Sequence, residues 1–105
     1  MISEKKRKTN NILSVCIKAG KAVKGFDSAK SAVIDEKAYA VLIACDSSEK
    51  TAKEIRFICQ KYNIPVIMTE LEKSEIGRLC GKDTAVIAVC DKGFADAFNK
   101  IIENS

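Results

Sequence analysis

Apolar positions in the first third of the chain recur with helical period and are interrupted by glycines. Four of them lie three or four residues apart: Ile12, Val15, Cys16 and Ala19. This spacing predicts a helix over 3–19, and Gly20 is expected to end it. The apolar pair 22–23 predicts a very short strand, after which helical spacing returns from Phe26 to Val33.

The remaining chain alternates between apolar runs and amphipathic segments. The run 39–45 is continuously apolar and rich in β-forming residues, as expected for a strand covered on both faces. Shorter runs predict strands over 65–69 and 85–89. One amphipathic segment carries the stripe Ile55, Ile58, Cys59 and Tyr62, and the last carries Phe94, Phe98, Ile101 and Ile102. Between them, Thr69-x-x-Glu72 is a capping-box pattern that predicts a helix to about Cys80.

Helices and strands therefore alternate without a linker or a repeat. This order predicts an α/β fold with four strands, a three-layer α/β/α sandwich with the sheet in the middle. A chain of 105 residues is long enough for one core and not for two, so we expect 1–105 to form a single domain. No apolar run approaches the roughly 18 residues of a membrane span, and the polar, basic start does not resemble a signal peptide. We expect a cytoplasmic protein.

The residues needed for catalysis or for a cofactor are missing from the sequence. It contains no histidine, the commonest general base near neutral pH. Gly20-x4-Gly25 has the spacing of a Walker A loop, but Phe26-Asp27 follows where Lys-Ser/Thr should, and 77–83 fails the same test. The five cysteines include no Cys-x-x-Cys pair and are interpreted as free thiols packed as small apolar side chains. We expect no enzyme activity, no cofactor and no small-molecule substrate.

Two dipeptides, Cys45-Asp46 and Cys90-Asp91, each follow a predicted buried strand. On parallel neighbouring strands, their thiols and carboxylates could gather at one edge and bind a metal ion. Alternatively, each aspartate caps the next helix, and Asp46-x-x-Glu49 itself resembles a capping box. The capping interpretation is favoured, and no metal site is predicted.

Positive charge is concentrated near the start of the chain. Residues 1–31 contain eight Lys/Arg and two acidic residues, a net of +6, whereas the rest contains ten basic and twelve acidic residues, a net of −2. This asymmetry is typical of a protein with a polyanionic partner, although a solvated basic helix would give the same composition. The basic run 5–8 is interpreted as such a solvated helix end.

The segment 18–30 is the strongest candidate binding site. Lys21, Lys24 and Lys30 bracket a predicted helix start, whose free N–H groups and dipole attract anions, and Lys82 lies in the loop before the last strand. The anion best supported is an RNA backbone. The six aromatic residues lie mostly at core spacings, so a stacking platform for single strands is poorly supported, and a folded RNA fits better.

Four segments then occur in a recognisable order: Lys18–Gly25, Ala40–Asp46, Tyr62–Val66 and Glu75–Lys82. Together with Asp91-Lys-Gly-Phe94, they resemble the ribosomal protein L7Ae and L30e family, whose members bind kink-turn RNA, and in particular its short bacterial YlxQ-like branch. The resemblance covers roughly residues 9–103. It implies a mixed sheet whose last strand is antiparallel and lies between the first two, which places Cys45 and Cys90 at opposite sheet edges.

The resemblance also implies one RNA-binding ridge that joins the start of the second helix to the loop 81–83. The candidate residues are Lys21, Lys24, Gly25, Phe26, Asp27, Ser28, Lys30, Ser31, Asp46, Gly81, Lys82 and Asp83. Kink-turn binders carry Asn-Glu after the glycine and a lysine three residues beyond the Glu. Here Asp27, Ser28 and Ser31 occupy those positions, and Lys30 is displaced by one. Asp27 lacks the amide donor, and Ser28 is too short to replace a glutamate.

The sequence thus predicts a small non-enzymatic protein that binds structured RNA and associates with ribosomes. Its phosphate contacts are expected to be kept, whereas its base-reading set is only partly kept. The alternative is a protein-interaction adaptor on the same fold, whose basic ridge docks an acidic partner.

Overall fold

Five helices and four strands alternate along residues 3–103, which are the residues that the computed structural model describes. The helices are α1 (Glu4–Lys18), α2 (Phe26–Ile34), α3 (Glu49–Lys61), α4 (Lys73–Cys80) and α5 (Lys92–Glu103). The strands are β1 (Ala22–Lys24), β2 (Ala40–Ile43), β3 (Val66–Met68) and β4 (Val86–Val89). Each predicted element is present, and the predicted end of α1 is confirmed because Gly20 follows its C-cap with φ +72°. None of these helices is long and apolar enough to cross a membrane.

The four strands form one mixed sheet in the order β1-β4-β2-β3. β4 is antiparallel to both of its neighbours, whereas β2 and β3 are parallel. This is the topology that the family resemblance implied. Because β2 and β4 run in opposite directions, Cys45 and Cys90, which follow them, lie at opposite ends of the sheet, so the two Cys-Asp pairs do not meet.

Helices cover both faces of the sheet, as the continuous apolar runs predicted. On β2, Leu42 packs with Leu13 of α1 and Phe98 of α5, whereas Ile43 packs with the layer of α2 and α3. Successive strand residues point to opposite faces, so each strand contributes to both cores. Burying both faces fixes the sheet between the helices and confirms the α/β/α sandwich.

Two predicted helix caps are wrong, and one is confirmed. Thr69 directly follows β3 and does not cap α4. Its hydroxyl donates instead to the carbonyl of Ile43, the last residue of β2, at 2.9 Å. The helix begins later, with Glu72 at the N-cap and the Glu72 N–H donating to the Glu75 carboxylate at 2.9 Å. Asp91 accepts the N–H of Phe94 at 3.0 Å in the first turn of α5, as predicted.

Asp46 is the second wrong cap. The N-cap of α3 is Ser48, which accepts the N–H of Thr51 at 3.1 Å. The Asp46 carboxylate instead accepts the N–H of Lys73, the first residue of α4, at 2.8 Å. Asp46 lies two residues before the N-cap of α3, Ser48. At this position the end of β2 meets the start of α4. The helix start closest to Asp46 in space is therefore not that of the next helix in sequence.

Candidate nucleic-acid interface

The start of α2 is shaped by Gly25, which occupies the N-cap position with φ +98°. Residues other than glycine rarely adopt this backbone conformation. A Cβ at this position would meet no atom within 4 Å, so glycine is required for its backbone conformation and not for lack of space. The Gly25 N–H donates to Val86 of β4 at 2.9 Å, and its carbonyl accepts from Ala29. No side chain within 3–103 caps α2. Its first N–H groups and the positive end of its dipole are therefore available to an anion.

The loop after α4 folds back closely onto α4 itself because of a second glycine, Gly77. A Cβ at Gly77 would lie 2.8 Å from the N and 2.9 Å from the Cα of Asp83, and 2.9 Å from the carbonyl carbon of Lys82. Only glycine allows the loop backbone to approach α4 this closely. Thr84, which is buried, fixes the other end of the loop: its hydroxyl donates to the Lys82 carbonyl at 2.8 Å.

Lys24 connects the two halves of the site. Its ammonium donates to the carbonyl of Cys80, the last residue of α4, at 2.7 Å. A cation at a helix C-terminus satisfies an otherwise unpaired carbonyl and interacts favourably with the dipole. The ammonium carries three donors, so this bond uses one of them. Lys24 therefore fixes the α4 end beside β1 and still offers positive charge to solvent.

A cavity of about 780 Å³ lies between β1, the start of α2 and the loop 81–84. Six of the twelve candidate residues line it: Lys24, Gly25, Phe26, Ser28, Lys82 and Asp83. Its wall includes Cys80, whose thiol has a raised pKa because burial disfavours the thiolate, an effect that the Lys24 charge only partly offsets. At neutral pH the cavity thus has two lysines at its rim and a neutral thiol in its wall.

The other exposed side of α2 lines a second groove, of about 510 Å³. Asp27 and Ser31 lie in this groove, and Ser28 lines both. Lys30 is half-buried on α2, and Gly81 is the left-handed C-cap of α4, with φ +99°. All three positions at which kink-turn binders read bases therefore line the second groove, and Ser28 alone of them also lines the cavity.

Four candidate residues line neither the cavity nor the second groove: Lys21, Lys30, Asp46 and Gly81. Lys21 lies at the opposite end of β1 from Gly25, and its carbonyl accepts the N–H of Cys90 at 2.8 Å. Asp46 uses a carboxylate oxygen to hold the start of α4. The basic run 5–8 does not line the cavity either. Within it, Lys6 pairs with Glu75 at 2.9 Å and Lys8 with Glu4 at 3.2 Å.

Gly77 is the residue of this site that the sequence analysis did not identify. In the sequence it belongs to the segment 77–83, which does not match a phosphate-binding loop. A glycine inside a predicted helix carries a propensity cost of about 1 kcal/mol, which commonly indicates a close backbone contact. That signal was present between Glu75 and Cys80, and it indicates where the loop packs.

Comparison with known proteins agrees with this architecture. The family model for the ribosomal protein L7Ae/L30e/S12e/Gadd45 family matches residues 7–99. RNA-binding protein YlxQ from Enterococcus faecium is 30% identical over 98 residues, 93% of this chain and 94% of that protein. RNA-binding protein YlxQ from Bacillus subtilis is 35% identical over 92 residues, 87% and 88% of the two chains.

A solved structure, described as a protein with unknown function from Bacillus halodurans, has the same fold. It superposes with a TM-score of 0.83 at 26% identity and covers 90% of this chain and 95% of its own. The fold, the order of the motifs and the match over 7–99 lead to one conclusion: the chain belongs to the ribosomal protein L7Ae/L30e/S12e/Gadd45 family.

Proposed function

We propose that this chain is one RNA-binding domain, spanning 1–105, that binds structured RNA without catalysing a reaction. The observation that carries the proposal is the cavity that brings Lys24 and Lys82 together with the uncapped start of α2. Lysine side chains and helix N-termini are the groups that hold phosphate oxygens in protein–nucleic acid complexes. The two relatives named as RNA-binding proteins support the same function.

Four lysines are proposed to contact phosphates: Lys21, Lys24, Lys30 and Lys82. Lys24 and Lys82 occupy the cavity rim, whereas Lys21 and Lys30 extend the positive surface along β1 and α2. Ribosomal RNA is the proposed class of ligand, because the matching family is one of ribosomal proteins, and this would place the protein in the cytoplasm. Asp27, Ser28 and Ser31 are proposed to face bases or sugars, since all three are exposed and line the second groove.

The salt dependence of binding tests the phosphate contacts. About four contacts predict a log–log slope near −3, so affinity should fall roughly 60-fold between about 50 and 200 mM salt. Lys82→Gln should make the slope less steep by about 0.7–0.9. Lys92→Gln, at an exposed position on α5, is the matched control and should leave the slope unchanged. Equal slopes for both variants would contradict a contact between Lys82 and an RNA phosphate.

A gel shift with three RNAs tests specificity: a kink-turn, the same RNA with its G·A pairs replaced, and a plain duplex. We expect binding to the folded RNA, with discrimination limited by the loss of the amide at Asp27 and of the longer carboxylate at Ser28. The double variant Asp27→Asn, Ser28→Glu should raise discrimination by about 1–3 kcal/mol per recovered contact, a range taken from DNA base readout.

The outcomes of the gel shift separate the alternatives. Equal binding to all three RNAs would reject kink-turn reading and keep a general RNA-binding function. No binding to any of them would favour an adaptor that docks an acidic protein. No gain from the double variant would mean that the start of α2 does not face the bases.

A further inference from the structure

The outer face of α3 carries a second positive surface, distinct from the cavity, whose lining includes no residue of α3. Lys50, Lys53, Phe57 and Lys61 are spaced at i, i+3, i+7 and i+11, which places them on one side of a helix. The buried residues of α3 are Ala52, Ile55 and Cys59, on the opposite side. We call the four outer residues the α3 stripe.

Phe57 is the unusual member of the stripe. Its side chain is 71% exposed, the highest value among the exposed large hydrophobic residues of the described chain. Most aromatic residues of the sequence are at core spacings, and Phe57 is an exception. A phenylalanine that is mostly exposed gains little from this position in the folded monomer. Removing its ring should therefore leave the core intact.

The cations of the stripe have no ion-pair partners within 3–103. The ion pairs Lys6–Glu75 and Lys8–Glu4 both involve α1, and none among residues 3–103 involves α3. Lys61 lies over the ring of Tyr62, with its ammonium 5.9 Å from the ring centre. With Arg56, α3 carries four basic residues against Glu49 and Glu54, and Glu54, four residues after Lys50, is the acidic residue on the side of the stripe. The positive charge is therefore available to a polyanion.

An exposed aromatic ring among unpaired lysines fits one ligand best, an unpaired RNA strand. Lysines hold the backbone, while the ring stacks on a base, and stacking requires a base face that a duplex does not offer. From Lys50 to Lys61 the stripe is about 16 Å long at 1.5 Å per residue. We propose that the α3 stripe binds a single-stranded RNA segment, with Phe57 stacked on a base.

The sheet topology places this stripe where it can serve the same RNA as the cavity. β1 and β2 both run antiparallel to β4, so they are parallel to each other, and α2 and α3 both start at the same end of the sheet. The helices also pack side by side on one sheet face. The Lys50 end of the stripe therefore lies on the same side of the molecule as the start of α2. The α3 stripe extends the proposed function, because it would hold a single-stranded RNA segment that flanks the folded RNA. This role rests on the proposed function.

The test uses the full chain and two fluorescent probes, dodecauridine and a kink-turn RNA without a tail. Phe57→Ala should weaken dodecauridine binding about 5-fold or more, the effect of losing one stacked base, and should leave the salt slope unchanged. Lys53→Gln should reduce the slope by about 0.7 instead. Lys100→Gln, exposed on α5, is the control for a lost surface charge. Thermal unfolding verifies that each variant is folded.

The kink-turn probe separates this proposal from the cavity. Lys82→Gln should weaken binding of the kink-turn RNA, whereas Phe57→Ala should not. If Phe57→Ala binds dodecauridine like the unchanged chain, the stacking role is overturned. If the unchanged chain does not bind dodecauridine at all, the stripe is not an RNA surface, and a protein partner becomes the remaining interpretation. If the unchanged chain binds dodecauridine but not the kink-turn RNA, the cavity is rejected as an RNA-binding site, and the proposal for the α3 stripe is kept.

Discussion

Replacing Gly77 with alanine tests how the candidate site is assembled. The new Cβ would lie 2.8–2.9 Å from three backbone atoms of Lys82 and Asp83. Backbone atoms cannot rotate away as the end of a side chain can. To reach 3.4 Å, an ordinary van der Waals distance, α4 and the loop must therefore separate by about 0.6 Å.

Two opposing effects set the change in stability. Inserting an atom into a packed contact costs about 1–3 kcal/mol. Alanine is favoured over glycine inside a helix by about 0.8–1.0 kcal/mol, which offsets part of that cost. We expect Gly77→Ala to lower the free energy of unfolding by about 0–2 kcal/mol, so the variant should fold.

The effect on RNA binding should be larger than the change in stability suggests. Moving the loop displaces Lys82 from the cavity rim, and a hydrogen bond to a charged group contributes about 1.5–3 kcal/mol. Loss of one such contact weakens binding roughly 10-fold or more. Fluorescence anisotropy with a kink-turn RNA measures the affinity, and urea unfolding measures the stability, both at a temperature where the variant is fully folded.

Gly93→Ala is the matched control for this experiment. Gly93 is also helical, but its Cβ would meet only the Asp91 carboxylate, at 3.2 Å, and a side-chain oxygen can move. We expect Gly93→Ala to change neither stability nor RNA affinity by more than a few tenths of a kcal/mol. The reasoning is refuted if Gly77→Ala matches this control in both measurements, because the loop would then not depend on its contact with α4.

Two further predictions follow from ionisable groups. The pKa of Glu75 is lowered by the hydrogen bond from the Glu72 N–H and by Lys6, so its contribution to stability is present above the unfolded pKa and is lost as the pH falls through the folded value. Lys6→Gln should therefore destabilise the protein near pH 7 and lose that effect in acid, as measured by urea unfolding across pH; a constant difference would exclude the ion pair as the cause. Burial raises the pKa of Cys59 to about 11, whereas Cys45 is exposed, so a maleimide should label Cys45 before Cys59 in peptide mapping by mass spectrometry; equal labelling rates would contradict the burial of Cys59.

The elements of this fold could be predicted because hydrophobic period and glycine positions are local signals. The stripes on α1 and α5 and the apolar run of β2 required no knowledge of neighbouring elements. The caps were predicted less well because capping depends on which helix start is closest in space. Asp46 follows β2 directly, yet it bonds to α4 through a contact 27 residues away in sequence. Strand order determines such a contact, and strand order came from the family resemblance.

The candidate site could also be predicted only where its residues give local signals in the sequence. Lys24, Gly25 and Lys82 could be identified from charge, glycine and loop position. The roles of Lys24 and Gly77 could not, because both depend on tertiary contacts of the loop after α4. Phe57 was also missed, since an aromatic residue in an amphipathic helix is usually buried, and only the packing of α3 shows that its ring faces solvent.

The charges around the start of α2 decide which side an RNA backbone can approach. The cavity side carries Lys24 and Lys82, with Asp83 as its acidic residue. The second groove is lined by Asp27 and Asp35, with Lys37 as its basic residue. Phosphates are repelled by carboxylates at short range, within the Debye length. The backbone should therefore follow the cavity side, and Asp27, an acceptor without a donor, can then contact only the donor groups of bases or ribose hydroxyls.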